Sequence, residues 1–274
     1  MKLAARPIEK PWGQLGVPHF AAGRCYGSRI GEVCFDHPDG AEMPVSIKYL
    51  YTSERLSIQV HPDNDQARSR GHASGKDEMW IVLHAEADAT IGLGLKRDAS
   101  EHELLQAISD GSIVQLVDWR PVARGDVIYN RAGTIHAAGA GLVLLEVQQS
   151  IDLTYRLFDY GRPRELHLAE GLSVARGSPH DASRDCSLAD GQSRLLPSGP
   201  YFGAAWCAGS VPPGLPMAAD HIQLVVVEGE AQAAGVTVRA GECCLVQDLR
   251  QIALPPSAIA VIAWAVPEAL ACAA

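Results

Sequence analysis

Between Glu32 and Gly161 the apolar residues come in short runs, rich in β-branched side chains and broken by Gly, Pro, Asp and Asn. Runs of this kind predict strands separated by turns. The clearest cover residues 44–51, 56–61, 79–83, 126–129 and 141–147. Two stretches depart from the pattern. After Ser100 an acidic residue stands at position 103, Leu104, Leu105, Ala107 and Ile108 follow at helical spacing, and Gly111 ends the run; the hydroxyl cap and the terminal Gly predict a short helix. Pro62-Asp63-Asn64-Asp65 supplies N-cap chemistry for another over residues 63–70.

From 171 to 195 the chain turns to Gly, Ser, Ala, Asp and Arg with few large apolar side chains, the composition of a linker. Strand-like runs return at 201–206, 221–227, 236–238, 244–246 and 259–264. The expected organisation is a first β unit over 1–170, a linker over 171–195 and a smaller β unit over 196–274. Many short strands and few helices favour an all-β barrel or jelly roll over an α/β design.

At 274 residues, with 47% of them hydrophobic, the chain has material for a sizeable core. Asp and Glu outnumber Lys and Arg by 32 to 23, a net charge of -9, which gives no footprint for nucleic acid or an anionic membrane. An anionic substrate would need locally gathered positive charge. The N-terminal MKLAARPIEKPWG has a Pro at 7 and charges at 9 and 10, so it lacks the apolar stretch of an export signal. No run reaches the ~18 apolar residues of a membrane span. Seven cysteines, at 25, 34, 186, 207, 243, 244 and 272, form neither a CxxC pair nor a framework. That usage fits a reducing, cytoplasmic setting and argues against a thiolate metal site, leaving Cys243 and Cys244 as small core side chains.

The candidate chemistry lies in three segments of the first unit. In Gln59-Val60-His61-Pro62, strand alternation puts Gln59 and His61 on one face. In Gly75-Lys76-Asp77-Glu78-Met79-Trp80, Lys76 and Glu78 share a face at the entry to an apolar strand. In Gly133-Thr134-Ile135-His136-Ala137 a turn delivers His136 just before another strand. Each has an ordinary reading alone: a strand-end His, a solvated carboxylate, a hairpin turn. Together they bring two His, one Glu and one Gln from separate strands, which suits a metal. Zinc takes imidazole and carboxylate and leaves a position open in catalytic sites, although iron and manganese accept the same set. Gln59 is the weakest donor. Further on, Glu146 sits between Leu145 and Val147 and points the opposite way, towards a cavity; a buried carboxylate there needs a partner. Arg156 can pair with it or serve a phosphate or developing enediolate.

The segments LSIQVHPD at 56–63, GKDEMW at 75–80, GTIHA at 133–137 and LLEVQQS through YRLFDYGR, ending at Arg162, resemble the type I mannose-6-phosphate isomerases in their short bacterial form, a cupin family. The resemblance spans about Gly31 to Arg162. It implies an all-β double cupin with a few short helices, and one zinc ion per chain held by Gln59, His61, Glu78 and His136. By the same resemblance Lys48 and Lys76 are active-site lysines, Ser57 lies near the metal, and Glu146 and Arg156 are the site's carboxylate and arginine. Arg131 stands where the second cupin motif commonly has Pro, and Cys34 where a Trp is expected after Gly31-Glu32-Val33. The longer members' helical insertion is one this chain is too short to contain. The C-terminal unit resembles the family's second, degenerate cupin loosely, with His221 and no GTIH-like turn.

The implied activity is zinc-dependent interconversion of mannose 6-phosphate and fructose 6-phosphate through a cis-enediol or enediolate. A small sugar phosphate is then the ligand, with no nucleic acid or membrane partner, and the chain acts as a monomer or homodimer. Cupins with two His and one Glu also host iron oxygenases, and a non-catalytic sugar-binding cupin could keep the metal scaffold.

Overall fold

A computed structural model of the chain describes residues 1–17, 27–188 and 191–266. Cys25, Cys272 and the last residues of the expected C-terminal unit lie outside the described residues.

The first part comprises β1 (Ala4–Gln14), β2 (Ile30–Asp36), β3 (Val45–Thr52), β4 (Ile58–Val60), β5 (Glu78–Ala85), β6 (Thr90–Leu95), β7 (Val117–Pro121), β8 (Asp126–Asn130), β9 (His136–Ala138), β10 (Leu142–Gln149) and β11 (Tyr155–Phe158). With β12 (Cys186–Ser187) they form two sheets, ordered β1-β2-β3-β10-β5-β8-β12 and β11-β4-β9-β6-β7. All the pairings are antiparallel. The helices are α1 (Asn64–Arg68), α2 (Glu101–Asp110), α3 (Ile113–Leu116) and α4 (Leu168–Val174). Asp63 caps α1 in a capping box with Gln66, and Ser100 caps α2, which stops at Gly111 in a left-handed conformation. β13 (Arg194–Leu195), β14 (Phe202–Ala208), β15 (Ala218–Glu228), β16 (Glu230–Ala233), β17 (Val236–Arg239), β18 (Cys243–Asp248), β19 (Ile252–Ala253) and β20 (Ile259–Ala265) build a second pair of sheets, β13-β14-β20-β15-β18 and β17-β16-β19.

Alternation along the strands explains the layers. On β3, Val45, Ile47, Tyr49 and Tyr51 leave the barrel and pack with Leu145 and Val147 against Phe202, Trp206, Val225 and Val261 of the second pair of sheets. The opposite face of the same sheet supplies Leu50, Trp80, Val82, Ile128 and Leu144 to the barrel interior. The smaller sheet buries its outer residues Ile58, Val60, Ile135 and Tyr155 beneath Leu104, Ala107 and Ile108 of α2 and Val174 of α4. A sheet covered on both faces reads as continuous apolar runs, which is why residues 44–51 and 141–147 show little polar alternation.

The stretch 171–195, expected as a linker, holds the end of α4, a single 3-10 turn, β12 and β13. β12 pairs with β8, and Leu95 N–H donates to Ser178 O. Its small polar residues pair through the backbone, so a lack of large apolar side chains does not release it from the first barrel. β1 has no clear apolar run because Pro7 and Pro11 interrupt it; both are tolerated on an outer strand of the sheet, where a missing N–H costs no ladder bond. Cys243 and Cys244 are fully buried on β18.

Behind β5 a buried polar network holds the strand. Asp77 faces away from the barrel interior and accepts from Tyr129 Oη (2.8 Å) and Ala132 N (2.8 Å). Burial pushes its carboxyl pKa up, partly offset by those two donors. A carboxyl whose pKa is raised on folding contributes most stability below its unfolded value, and that contribution is lost as pH rises through the folded value. Tyr129→Phe should therefore destabilise the protein by about 1–3 kcal/mol at pH 7, and by less at pH 4, where Asp77 is more fully protonated. Urea unfolding at both pH values measures the difference; an equal loss at both would contradict it.

Candidate functional site

His61 leaves the end of β4, and its Nδ1 lies 2.9 Å from Leu153 O. His136 opens β9 and its Nδ1 lies 2.8 Å from Thr134 O. A carbonyl only accepts, so each ring donates from Nδ1 and turns Nε2 inward. Both Nε2 atoms meet Glu78, His61 at 3.3 Å from Oε2 and His136 at 3.1 Å from Oε1. The backbone forces this meeting. Gly133 N–H donates to His61 O (2.8 Å), and Lys76 N–H donates to Pro62 O (3.0 Å), so the three motif segments are tied together next to the side chains they deliver. Gly133 adopts φ 85°, and Gly75 lies so close to Asp63 and Asn64 that a Cβ would fall 2.3 Å from backbone carbon; both positions require Gly.

Glu78 has no solvent exposure, and His61 and His136 are 2% and 1% exposed. Although burial opposes its charge, the Lys76 ammonium, the largest of the opposing influences, holds the Glu78 carboxyl well below the usual range. Burial, reinforced by the Lys76 ammonium, pushes the His61 pKa down to about 3, so the ring is neutral. With Nδ1 committed to Leu153 O, that neutral ring aims an Nε2 lone pair at a carboxylate oxygen. Lys76 Nζ, 3.4 Å from that Nε2 and 3.0 Å from Glu78 Oε2, places an ammonium against both acceptors, and the ligand atoms of His61, Glu78 and His136 lie within 4.8 Å of one another. The group can hold a metal ion. Gln59, opposite His136 across the β4–β9 pair, presents Nε2 3.3 Å from His136 Nε2, while Ser57 Oγ donates to Gln59 Oε1 (3.3 Å).

A second row faces this group from the larger sheet. Lys48, Glu146 and Trp80 are directly opposite one another on β3, β10 and β5. Lys48 Nζ lies 3.0 Å from Glu146 Oε1, and Trp80 Nε1 donates to Glu146 Oε2 (2.8 Å). Lys76 Nζ bridges the rows, 3.0 Å from Glu78 Oε2 and 3.6 Å from Glu146 Oε1. The alternation of charge continues outward through Glu32, 3.7 Å from Lys48, to Lys10, 2.9 Å from Glu32. Burial would raise Glu32, but Lys48 and Lys10 outweigh it and lower its pKa; burial likewise opposes the Lys48 charge, yet Glu146 and Glu32 raise its pKa. Glu78 Oε2 and Glu146 Oε1 have ammonium groups at ion-pair distance but no well-directed hydrogen bond.

Lys48, Ser57, Gln59, Lys76, Glu146 and Arg156 line one cavity, whereas His61, Glu78 and His136 are buried beside it and are not among its lining residues. The pairing of Arg156 with Glu146 is not found. Arg156 Nη1 donates to Glu165 O, and among the described residues the ion-pair partners of Glu146 are Lys48 and Lys76. Arg156 is opposite Gln59 on the smaller sheet, across the cavity from β10. Sequence reasoning missed Lys10, Trp12, Thr154 and Arg164, which also line the cavity, and Asn130, whose Nδ2 donates to Glu78 Oε1 (2.9 Å). Asn130 closes a strand that was legible, and its polarity at the end of an apolar run was the available signal.

No family model matches the chain. In sequence it is similar to the mannose-6-phosphate isomerase of Streptococcus mutans, 37% identical over 176 residues that cover 61% of this chain and 55% of that protein. A probable mannose-6-phosphate isomerase of Bacillus subtilis is 34% identical over 165 residues, 56% of this chain and 52% of that one. The match thus spans about half the length of these relatives. In structure the chain superposes on the crystallised mannose 6-phosphate isomerase of Bacillus subtilis with a TM-score of 0.80 over 96% of this chain and 98% of that one, at 24% identity. The fold is that of these cupin isomerases. A putative mannosephosphate isomerase from Archaeoglobus fulgidus gives a TM-score of 0.72 at 16% identity, over 96% of each chain. No helix among the described residues is long and apolar enough to cross a membrane.

Asn130 holds a carboxylate that faces both imidazoles, so it should act on metal affinity without touching the ion. Asn130→Ala is expected to weaken binding of an added divalent metal ion about 10–100-fold, read by competition with a chromogenic chelator. Unchanged affinity would mean that Glu78 is oriented by its other partners alone.

Proposed function

We propose that the chain is a zinc-dependent aldose–ketose isomerase that interconverts mannose 6-phosphate and fructose 6-phosphate. The observation that carries this reading is the buried His61–Glu78–His136 group in contact, through Lys76, with the Lys48–Glu146–Lys76 row that lines the cavity, which joins metal-ligand geometry to groups able to move a proton. The named relatives and the shared isomerase fold support the same reaction.

Zinc would be held by His61, Glu78 and His136, with Gln59 as a fourth ligand once its amide turns over, and would polarise the substrate's carbonyl and hydroxyl oxygens as a Lewis acid. Turning that amide brings Oε1 to the side of His136 and leaves Nε2 to donate to Ser57 Oγ, so no buried group is stranded. Glu146 takes the proton from C2 of the open-chain aldose and returns it to C1, while the O2 hydroxyl proton passes to O1, the cis-enediolate lying between. Lys76, already between the two carboxylates, offsets the negative charge that develops on the reacting oxygens. Arg156 has no carboxylate within 4.0 Å among the described residues, which leaves its guanidinium for the phosphate, with Lys48 and Ser57 completing the hold on the substrate. We further propose that residues 1–170 carry the reaction and 196–274 buttress them, in a cytoplasmic monomer or homodimer.

Protein stripped with a chelator and resupplied with zinc should form fructose 6-phosphate from mannose 6-phosphate only after the metal is restored, followed in a coupled assay. No turnover at full metal occupancy would refute the assigned reaction. Glu146→Gln should still bind zinc but lose exchange of the C2 proton with solvent; retained exchange, followed by NMR in deuterated water, would exclude Glu146 as the base.

A further inference from the structure

A second cleft, of about 330 Å³, opens on the reverse side of β5 and shares no lining residue with the substrate cavity. Arg68, Arg131, Arg176 and Arg184 converge on it. Its carboxylates are Asp63, Asp65 and Asp77, so cations are in excess there although the chain carries a net charge of -9. Arg68 lies 3.8 Å from Asp65 and Arg131 lies 3.7 Å from Asp181. Arg184 stacks over the Tyr129 ring at 5.1 Å, and Asp77 has both oxygens engaged by Tyr129 and Ala132. Neither Arg176 nor Arg184 has a carboxylate within 4.0 Å among the described residues. Asn64, which also lines the cleft, is 5% exposed and its Nδ2 has no hydrogen-bond partner.

Two guanidiniums with no carboxylate within 4.0 Å among the described residues, lining one concavity with two more beside them, supply the kind of donors that suit a phosphoryl group. We propose that this cleft is a second anion site, taking a phosphoryl dianion, free or carried on a small metabolite, with Arg176 and Arg184 as its principal contacts. The site adjoins the metal group from behind. Arg176 N–H donates to Gly133 O (2.7 Å), and its side chain lies against Gly133, where a Cβ would come within 3.0 Å of it. The next residue, Thr134, supplies the carbonyl that fixes His136. An anion drawn to Arg176 therefore bears on the turn that orients a candidate metal ligand, without entering the cavity where Arg156 stands.

The experiment is calorimetric titration of the metal-replete full chain with inorganic phosphate and, separately, glycerol 3-phosphate. Arg156→Ala, which disables the substrate cavity, should keep one phosphate site. Introduced together into Arg156→Ala, the double variant Arg176→Ala and Arg184→Ala should weaken that site at least about tenfold relative to Arg156→Ala alone. Tighter binding of glycerol 3-phosphate would identify a phosphate ester as the ligand, and equal binding would identify the phosphoryl group alone; either supports the site. Loss of all phosphate binding in Arg156→Ala, affinity in the double variant equal to that of Arg156→Ala alone, or no binding by the parent would overturn the proposal. Should the double variant fail to fold, Arg176→Gln and Arg184→Gln, each introduced into Arg156→Ala, are read by the phosphate-dependent rise in Tm. A smaller rise than in Arg156→Ala is expected, and an undiminished one in both variants overturns the assignment.

Discussion

A carboxylate with no exposure to water stays charged only if cations and donors are brought to it, and Glu78 imposes that requirement on the whole first barrel. Its partners come from separate parts of the chain: His61 at the end of β4, Lys76 ahead of β5, Asn130 at the end of β8 and His136 at the start of β9. Asn130 stands directly opposite Glu78 within the larger sheet, but the two imidazoles reach Glu78 only when the smaller sheet closes against the larger one. Closure in turn fixes the imidazoles, because Leu153 O and Thr134 O take the Nδ1 protons and leave both Nε2 atoms directed at the same carboxylate. The geometry suited to a metal is thus inseparable from the way a buried charge is satisfied.

The larger sheet makes this interior possible by being buried on both sides. Outward-facing Val45, Ile47, Tyr49 and Leu145 pack against the second pair of sheets, so the apolar area that stabilises the sheet lies mostly away from the site. Inward positions on the same strands can then carry Lys48, Glu146 and Trp80, whose mutual pairing limits the cost of burying them. Asp77 shows the same division within one segment. It points outward to Tyr129 and Ala132 while its neighbours Lys76 and Glu78 point inward, so the strand is gripped by polar contacts on both faces.

Electrostatic balance in the cavity rests on rows rather than isolated pairs. Lys10, Glu32, Lys48, Glu146, Lys76 and Glu78 alternate in sign across neighbouring strands, each ion shared by two of opposite charge except at the ends. A balanced row holds lysines in place with their charge compensated, and Arg156 stands across from it on the smaller sheet without such compensation. The proposed dianionic substrate would meet its least compensated cation on that side.

By itself the sequence determined what short-range chemistry controls. Strand runs, the caps of α1 and α2, and the turn at Gly133 are set by residues within a few positions of one another. Alternation likewise put Gln59 with His61, and Lys76 with Glu78, on common faces. Only the tertiary structure decided the partners. That Glu146 meets Lys48 and Lys76 instead of Arg156 follows from the order β3-β10-β5, a fact of sheet pairing that no local pattern encodes. Asn130, Lys10 and Trp12 joined the site in the same way, and the polar stretch around β12 became part of the first barrel through backbone bonds to β8. Local geometry is written in neighbouring residues, whereas the pairing of distant charges depends on which strands the burial of both sheet faces brings side by side.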